Sequence, residues 1–277
     1  MPADTPHDDD DDKTAHCVPF ILSLLGRHEQ RHSSSTSSSS SSQPPPPPLL
    51  IGLSAVQGAG KTVLAAELQR ALGEPPHNVR TVTLSLDDFY LPRAEQVALT
   101  ARRPANPLLQ HRGQPGTHDM ALMTAVLASL RRQTRATKIP AYDKAAFAGA
   151  GDRVPEEEWA TVVVNDGSPV RVVLFEGWCV GFRALDPESL RRKWAAAVAA
   201  RETDPHHYNG RLGYNSLQSV ADINEALREY DQITEYVLTT PPFFLVSPFS
   251  LPSLAVPPPN SFPPPCPVPV VTANSTA

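Results

Sequence analysis

"LLIGLSAVQGAGKT", residues 49–62, decides the fold. Its first half is an apolar run with prolines before it and glycines after it, the pattern of a buried strand. Its second half approaches the phosphate-holding template G-x-x-x-x-G-K-S/T. Ala55, Val56, Gln57, Gly58, Ala59, Gly60, Lys61 and Thr62 fill the eight places. The closing Gly-Lys-Thr fits, and Ala55 stands where the template has its first glycine. Small residues let backbone N–H groups approach phosphate oxygens, and a helix starting here adds the positive end of its dipole. Lys61 suits the charge between β- and γ-phosphates, and the Thr62 hydroxyl suits Mg²⁺. The stretch from Gln57 to Val63 is the expected nucleotide-binding segment. If position 55 required a positive φ, its Cβ would cost about 1 kcal/mol or more.

The residues after Lys61 agree with a phosphate loop rather than a chance turn. "TVLAAELQRALG" (62–73) repeats leucine at Leu64, Leu68 and Leu72, then stops at Gly73 and Pro75. Strand, loop and helix therefore come in the required order. Further along, "VRTVTLSL" (79–86) and "VRVVLFEG" (170–177) read as strands. "THDMALMTAVLASLRRQ" (117–133) reads as a helix capped by Asp119, and "DPESLRRKWAAAVAAR" (186–201) as one capped by Asp186. Leu217, Val220, Ile223, Leu227, Tyr230 and Ile233 place one stripe on a helix over about 216–235. Apolar strands alternating with helices predict an α/β fold around a mostly parallel sheet. In such sheets chemistry gathers at the carboxyl ends of the strands.

Several motifs fall at those ends. "SLDDFYLP" (85–92) puts Asp87 and Asp88 beside aromatic residues, including Tyr90. Adjacent carboxylates suit proton abstraction from a hydroxyl and Mg²⁺ binding, although Asp88 also suits a helix cap. "NPLLQHRGQPGTHD" (106–119) carries His111 and Arg112 in a Gly/Pro turn; arginine suits a bidentate grip on carboxylate or phosphate. "KIPAYDKAAFAGAGDR" (138–153) brings Tyr142, Asp143, Lys144 and Arg153 into another loop. Glu176, at the end of "LFEGW", stands where a buried acid binds Mg²⁺ through water. Without a cation, burial there would be costly.

The ordered set "GAGKT", "LDDFYLP", "NPLLQHRGQPGTHD", "IPAYDKAAFAGAGDR", "LFEGWCVGFRAL" and "INEALREYD" resembles the P-loop D-glycerate 3-kinases and related ATP-dependent small-molecule kinases. The resemblance covers roughly residues 49–235. Uridine, pantothenate and phosphoribulose kinases are similar more distantly. It implies a P-loop NTPase fold of the kinase type, a three-layer arrangement, using ATP and Mg²⁺. It implies that Asp87 is the base on the acceptor hydroxyl, that Lys61 holds phosphate, and that Thr62, Asp87 and Glu176 serve the metal. Asp88, Tyr90, His111, Arg112, Tyr142 and Arg153 are then the acceptor-side candidates, with Arg183 as a further lid contact. D-Glycerate is the expected acceptor, with a nucleoside or a pantothenate-like metabolite as the alternative, and a non-catalytic nucleotide-binding protein as the rival class.

Composition bounds the rest. The 277 residues carry a formal net charge of −5, which argues against nucleic acid or an anionic membrane held by bulk charge. Cys17, Cys179 and Cys266 lie far apart without a CxxC pair, which suits a reducing compartment, the cytoplasm or nucleus. Residues 1–48 read as a disordered tail. They hold "DDDDD" (8–12), which with Lys13 resembles an enteropeptidase site, and "HSSSTSSSSSSQPPPPP" (32–48). The short apolar stretch "CVPFILSLLG" (17–26) lacks the basic lead of a secretory signal. The proline run suits a passive spacer, with an SH3 or WW ligand as the functional alternative. The kinase domain is expected over 49–238 and a second, proline-rich tail over 239–277. Residues 241–277 hold 12 prolines and no Asp, Glu, Lys or Arg. The family pattern continues there with a strand, a charged segment and a closing helix. The expectation is a replaced C-terminus on a kinase core of low solubility and weak or absent activity.

Overall fold

The computed structural model describes residues 13–34, 45–133, 136–163, 168–231 and 233. The C-terminal tail, the acidic run and most of the serine tract lie outside the described residues. The described chain begins with helix α1 (Lys13–Ser34), then strand β1 (Leu49–Ser54), α2 (Lys61–Gly73), β2 (Thr81–Ser85) and α3 (Arg93–Arg102). It continues with α4 (Met120–Arg132) and four short strands, β3 (Thr137–Ile139), β4 (Tyr142–Asp143), β5 (Asp152–Arg153) and β6 (Ala160–Val162). It then runs through β7 (Val172–Gly177), α5 (Pro187–Thr203) and α6 (Leu217–Ala226).

The central sheet has the order β1-β7-β2, with both pairings parallel. Every residue of β1 and β7 is buried, as a sheet covered on both faces requires. Alternation sorts their side chains into two layers. Leu49, Ile51, Leu53, Val172 and Leu174 pack under α1 and α2. Leu50, Val173 and Phe175 face α4 and the segment ending at Tyr230. The result is the expected three-layer α/β fold. The register aligns Ser54 with Gly177 and Ser85 with Glu176, so the three strands release their loops at one edge. Two antiparallel pairs, β3 with β6 and β4 with β5, make small satellite sheets.

Helix α1 corrects the expectation of a structureless N-terminal tail. Cys17, Val18, Ile21, Leu24 and Leu25 are buried against α2 and the sheet. Their spacing is that of a helical stripe. Pro19 lies inside the helix but on its exposed side, so its missing N–H is not a buried loss. His28 continues the stripe and bonds the Pro47 carbonyl at 2.7 Å, and Glu29 pairs with Arg171 at 2.7 Å. The helix thus belongs to the folded unit.

Three smaller expectations are adjusted. Ala55 carries no positive φ, whereas Gly58 (80°) and Gly60 (79°) do, so the alanine is accommodated without strain. Asp88 does not cap α3. The residue preceding α3 is Pro92, and the Arg93 N–H donates instead to Asp152 at 2.8 Å. The helix expected over 216–235 is α-helical over Leu217–Ala226, tightens to a 3₁₀ turn over Leu227–Tyr230, and is α-helical again at Asp231 and Ile233. Asp119 and Asp186 cap their helices as expected, accepting from the Leu122 and Ser189 N–H groups at 2.9 Å each.

Candidate active site

The phosphate-loop candidate joins β1 to α2. Gly60 occupies the position before α2 in a left-handed conformation, and Gly58 shares it. A Cβ built at either glycine meets nothing within 4 Å, so it is the backbone angle, not crowding, that selects glycine. Lys61 folds back so that Nζ donates to the Val56 carbonyl at 2.9 Å. Val56 and Val63 flank the loop and are largely exposed.

Behind the loop, Thr62 Oγ1 donates to Glu176 Oε1 at 3.1 Å, and Ser85 Oγ donates to the same oxygen at 2.8 Å. Glu176 is buried. One carboxylate oxygen therefore gathers hydroxyls from α2 and β2, while Glu176 itself is the penultimate residue of β7. Sequence reasoning missed Ser85; a hydroxyl closing a strand two residues before an acidic pair is the signal that finds it. The metal expected here fits the donors present. A hydroxyl and a buried carboxylate at one strand edge are hard oxygen ligands of the type Mg²⁺ takes alongside phosphates and water.

A cavity of about 500 Å³ opens beside this cluster. It is lined by Gln57 of the loop and by Asp87, Tyr90, His111, Arg112 and Lys144, among others. The loop and the acceptor-side motifs therefore share one space. Asp87 pairs with Lys144 through a 2.6 Å contact between Oδ2 and Nζ. Asp88 points elsewhere and accepts from the Tyr142 N–H at 3.3 Å. Burial raises its pKa to about 6, against the lowering effect of that hydrogen bond.

The arginines divide their labour. Arg112 lines the cavity, but its guanidinium donates to the carbonyls of Gly149 (2.7 Å), Ala150 and Lys144 (3.3 Å). It also lies 5.6 Å from the Tyr142 ring centroid. Gly151 makes this possible, because a Cβ there would sit 2.6 Å from Tyr142 and 2.9 Å from Arg112. Arg153 is withdrawn from the cavity. It donates to Asp119 at 3.0 Å and to the Tyr90 carbonyl at 2.8 Å, tying β5 to the cap of α4. Arg183 pairs with Asp231 at 3.7 Å and does not line the cavity. Arg93, Gln96 and Thr100, from α3, do line it. Sequence reasoning missed them because that helix shows no buried face to orient it.

Behind Asp87 stands an aromatic column. Tyr90 is buried, and burial together with the charge of Asp87 raises its pKa. Its ring stacks on His118 at 4.4 Å and 19°. The Tyr230 hydroxyl meets His118 Nδ1 at 2.5 Å, and Nε2 has no partner among the described residues. Burial lowers the His118 pKa to about 4, so the ring is neutral. In the sequence, His118 and Tyr230 stand out only as parts of longer motifs.

Comparison with known proteins agrees with this arrangement. No protein-family model matches the chain. The chain is 39% identical over 187 residues to an uncharacterized kinase (mug58) of Schizosaccharomyces pombe, covering 67% of this chain and 63% of that protein. It is 38% identical over 146 residues to the chloroplastic D-glycerate 3-kinase of Arabidopsis thaliana, covering 52% of this chain and 31% of that one. The chain thus spans less than two thirds of these relatives. Among solved structures, a D-glycerate 3-kinase from Cryptococcus neoformans superposes with a TM-score of 0.65 at 33% identity, covering 80% of this chain and 69% of the other. With the phosphate loop, the buried strand-end acid and the paired carboxylates on one edge of a parallel sheet, the chain belongs to the P-loop kinase family that contains the D-glycerate 3-kinases.

Proposed function

We propose that this chain transfers the γ-phosphoryl group of ATP to a hydroxyl of a small hydroxy acid, with D-glycerate as acceptor and 3-phosphoglycerate as product. The observation that carries this reading is the single cavity lined by Gln57 of the phosphate loop and by Asp87. A donor phosphate and an acceptor hydroxyl can meet there without crossing protein. D-Glycerate as the acceptor rests on the names of two relatives, one by sequence and one by structure.

The side chains supply the chemistry. Lys61 leaves the Val56 carbonyl and, with the loop amides from Gln57 to Val63, holds the phosphates. Thr62, Glu176 and Asp87 would hold Mg²⁺, which when bound would neutralise charge on the phosphates. Asp87 accepts the proton of the acceptor hydroxyl as its oxygen bonds to phosphorus, and the bond to the departing ADP oxygen breaks in line. Arg112 shapes the acceptor wall with the Tyr142 ring beside it, Asp88 fixes the start of β4, and Tyr90 and His111 face the pocket. Arg153 holds the wall from behind. No helix among the described residues is long and apolar enough to cross a membrane. Cys17 and Cys179 are buried in separate layers of the core, which suits a reducing compartment such as the cytoplasm.

The test is incubation of the full chain with ATP, Mg²⁺ and a panel of hydroxy acids, polyols and nucleosides. ADP formation that depends on D-glycerate supports the reading. A better rate with a nucleoside or an uncharged polyol contradicts it.

A further inference from the structure

The cations around the cavity are not equivalent. Arg112 commits both terminal nitrogens to the carbonyls of Gly149, Ala150 and Lys144. Arg153 is largely buried and committed to Asp119 and the Tyr90 carbonyl. Arg93 lies with its guanidinium 4.4 Å from the Phe147 ring centroid, at the outer end of the same loop. Lys144 differs from all three. Its backbone carbonyl is held by Arg112, while its side chain is 56% exposed and ends on Asp87. The stem is anchored and the ammonium is placed to swing within the cavity.

That ammonium occupies the carboxylate oxygen Oδ2 of the residue proposed as the base. Asp87 cannot collect a proton at that oxygen while Lys144 holds it. An anionic group on the acceptor is the natural rival for that ammonium. We propose that Lys144 reads the carboxylate of the acceptor: it releases Asp87 to bind that carboxylate, so that only an anionic hydroxy acid uncovers the base. This rests on the kinase reading above and adds to it a specificity-determining residue and the means by which it acts. The pair has a second consequence. Without acceptor, Lys144 keeps Asp87 from deprotonating water, which would otherwise attack the γ-phosphate to give ADP and inorganic phosphate with the water proton passed to Asp87.

The experiment compares the full chain with Lys144→Met and Lys144→Arg, using Mg·ATP with D-glycerate and with glycerol, which has the same carbon skeleton without the carboxylate. Loss of a charge-assisted hydrogen bond predicts that Lys144→Met narrows the kcat/KM preference for D-glycerate over glycerol by about 10- to 100-fold. Lys144→Arg retains most of the preference, the KM for ATP stays unchanged, and hydrolysis of ATP without acceptor rises in Lys144→Met. A Lys144→Met protein that keeps the parent's preference for D-glycerate overturns the proposal and leaves the kinase reading standing. A parent that prefers glycerol or a nucleoside overturns both.

Discussion

Thr62 and Glu176 meet at 3.1 Å although they stand 114 positions apart in the chain. The contact joins the first turn of α2 to the last residues of β7, and Ser85 from β2 closes on the same oxygen. A buried carboxylate placed where three strand ends converge is costly unless it serves a cation or is fully bonded. Glu176→Gln keeps the volume and removes the charge. We expect turnover to fall by about 10²- to 10³-fold, with ATP binding in the absence of Mg²⁺ little changed. Ser85→Ala, which removes one of two donors, should have the milder effect. Steady-state kinetics across a Mg²⁺ titration check both.

Asp87→Asn and Asp88→Asn should separate the two adjacent carboxylates. Asp87 faces the cavity, and Asp88 turns back to the Tyr142 N–H. Asp87→Asn is expected to abolish transfer and spare ATP binding, since the amide cannot take the proton. Asp88→Asn retains an oxygen acceptor for the Tyr142 N–H, so it should cost no more than about tenfold in turnover. The reverse ranking in a single-turnover assay would assign the base to Asp88.

His118 predicts an acid-sensitive fold. Its folded pKa of about 4 lies below the ordinary 6.5 because the ring is buried between Tyr90 and Tyr230, and Asp87 offsets this only in part. The unfolded chain therefore binds the proton more tightly. The stability this histidine allows is fully present above pH 6.5 and falls as pH drops toward 4, by up to about 3 kcal/mol. Urea denaturation at pH 7.5 and 4.5 should show a drop that His118→Asn reduces. An equal drop in parent and variant would assign the acid sensitivity to other groups.

Helix α1 should be indispensable to stability. Leu24 is buried against the layer that holds Leu68 and Leu72 of α2. Leu24→Ala is expected to cost about 2–5 kcal/mol. A chain beginning at residue 46 should show a melting temperature many degrees lower, because the apolar faces of β1 and α2 lose their cover. Thermal melts of the three proteins decide this, and equal midpoints would mean that α1 adds nothing.

The legibility of the sequence varies with the kind of signal. The strand-loop-helix of residues 49–73, the caps at Asp119 and Asp186 and the placement of Glu176 are readable because each rests on local chemistry. Helix α1 is not legible as part of the fold. Its stripe, Cys17, Val18, Ile21, Leu24, Leu25 and His28, is regular, but an internal Pro19 and acidic and serine-rich flanks mask it. At the site, Asp87, Tyr90, His111 and Arg112 come to the cavity as their motifs suggest. Arg153 does not, since only the fold shows that Asp119 and the Tyr90 carbonyl claim its guanidinium. The Lys144–Asp87 pair spans 57 residues, and no spacing rule reports such a contact.

The central claim is phosphoryl transfer to a hydroxy acid through Lys61 and Asp87. The most direct measurement is mass spectrometry of the products after the full chain is incubated with Mg·ATP and D-glycerate, beside Lys61→Ala and Asp87→Asn. This readout detects even low turnover. The account predicts phosphoglycerate from the parent and none from either variant. Phosphoglycerate formed equally by parent and Asp87→Asn, or ATP bound by the parent with no phosphorylated acceptor formed, would contradict it.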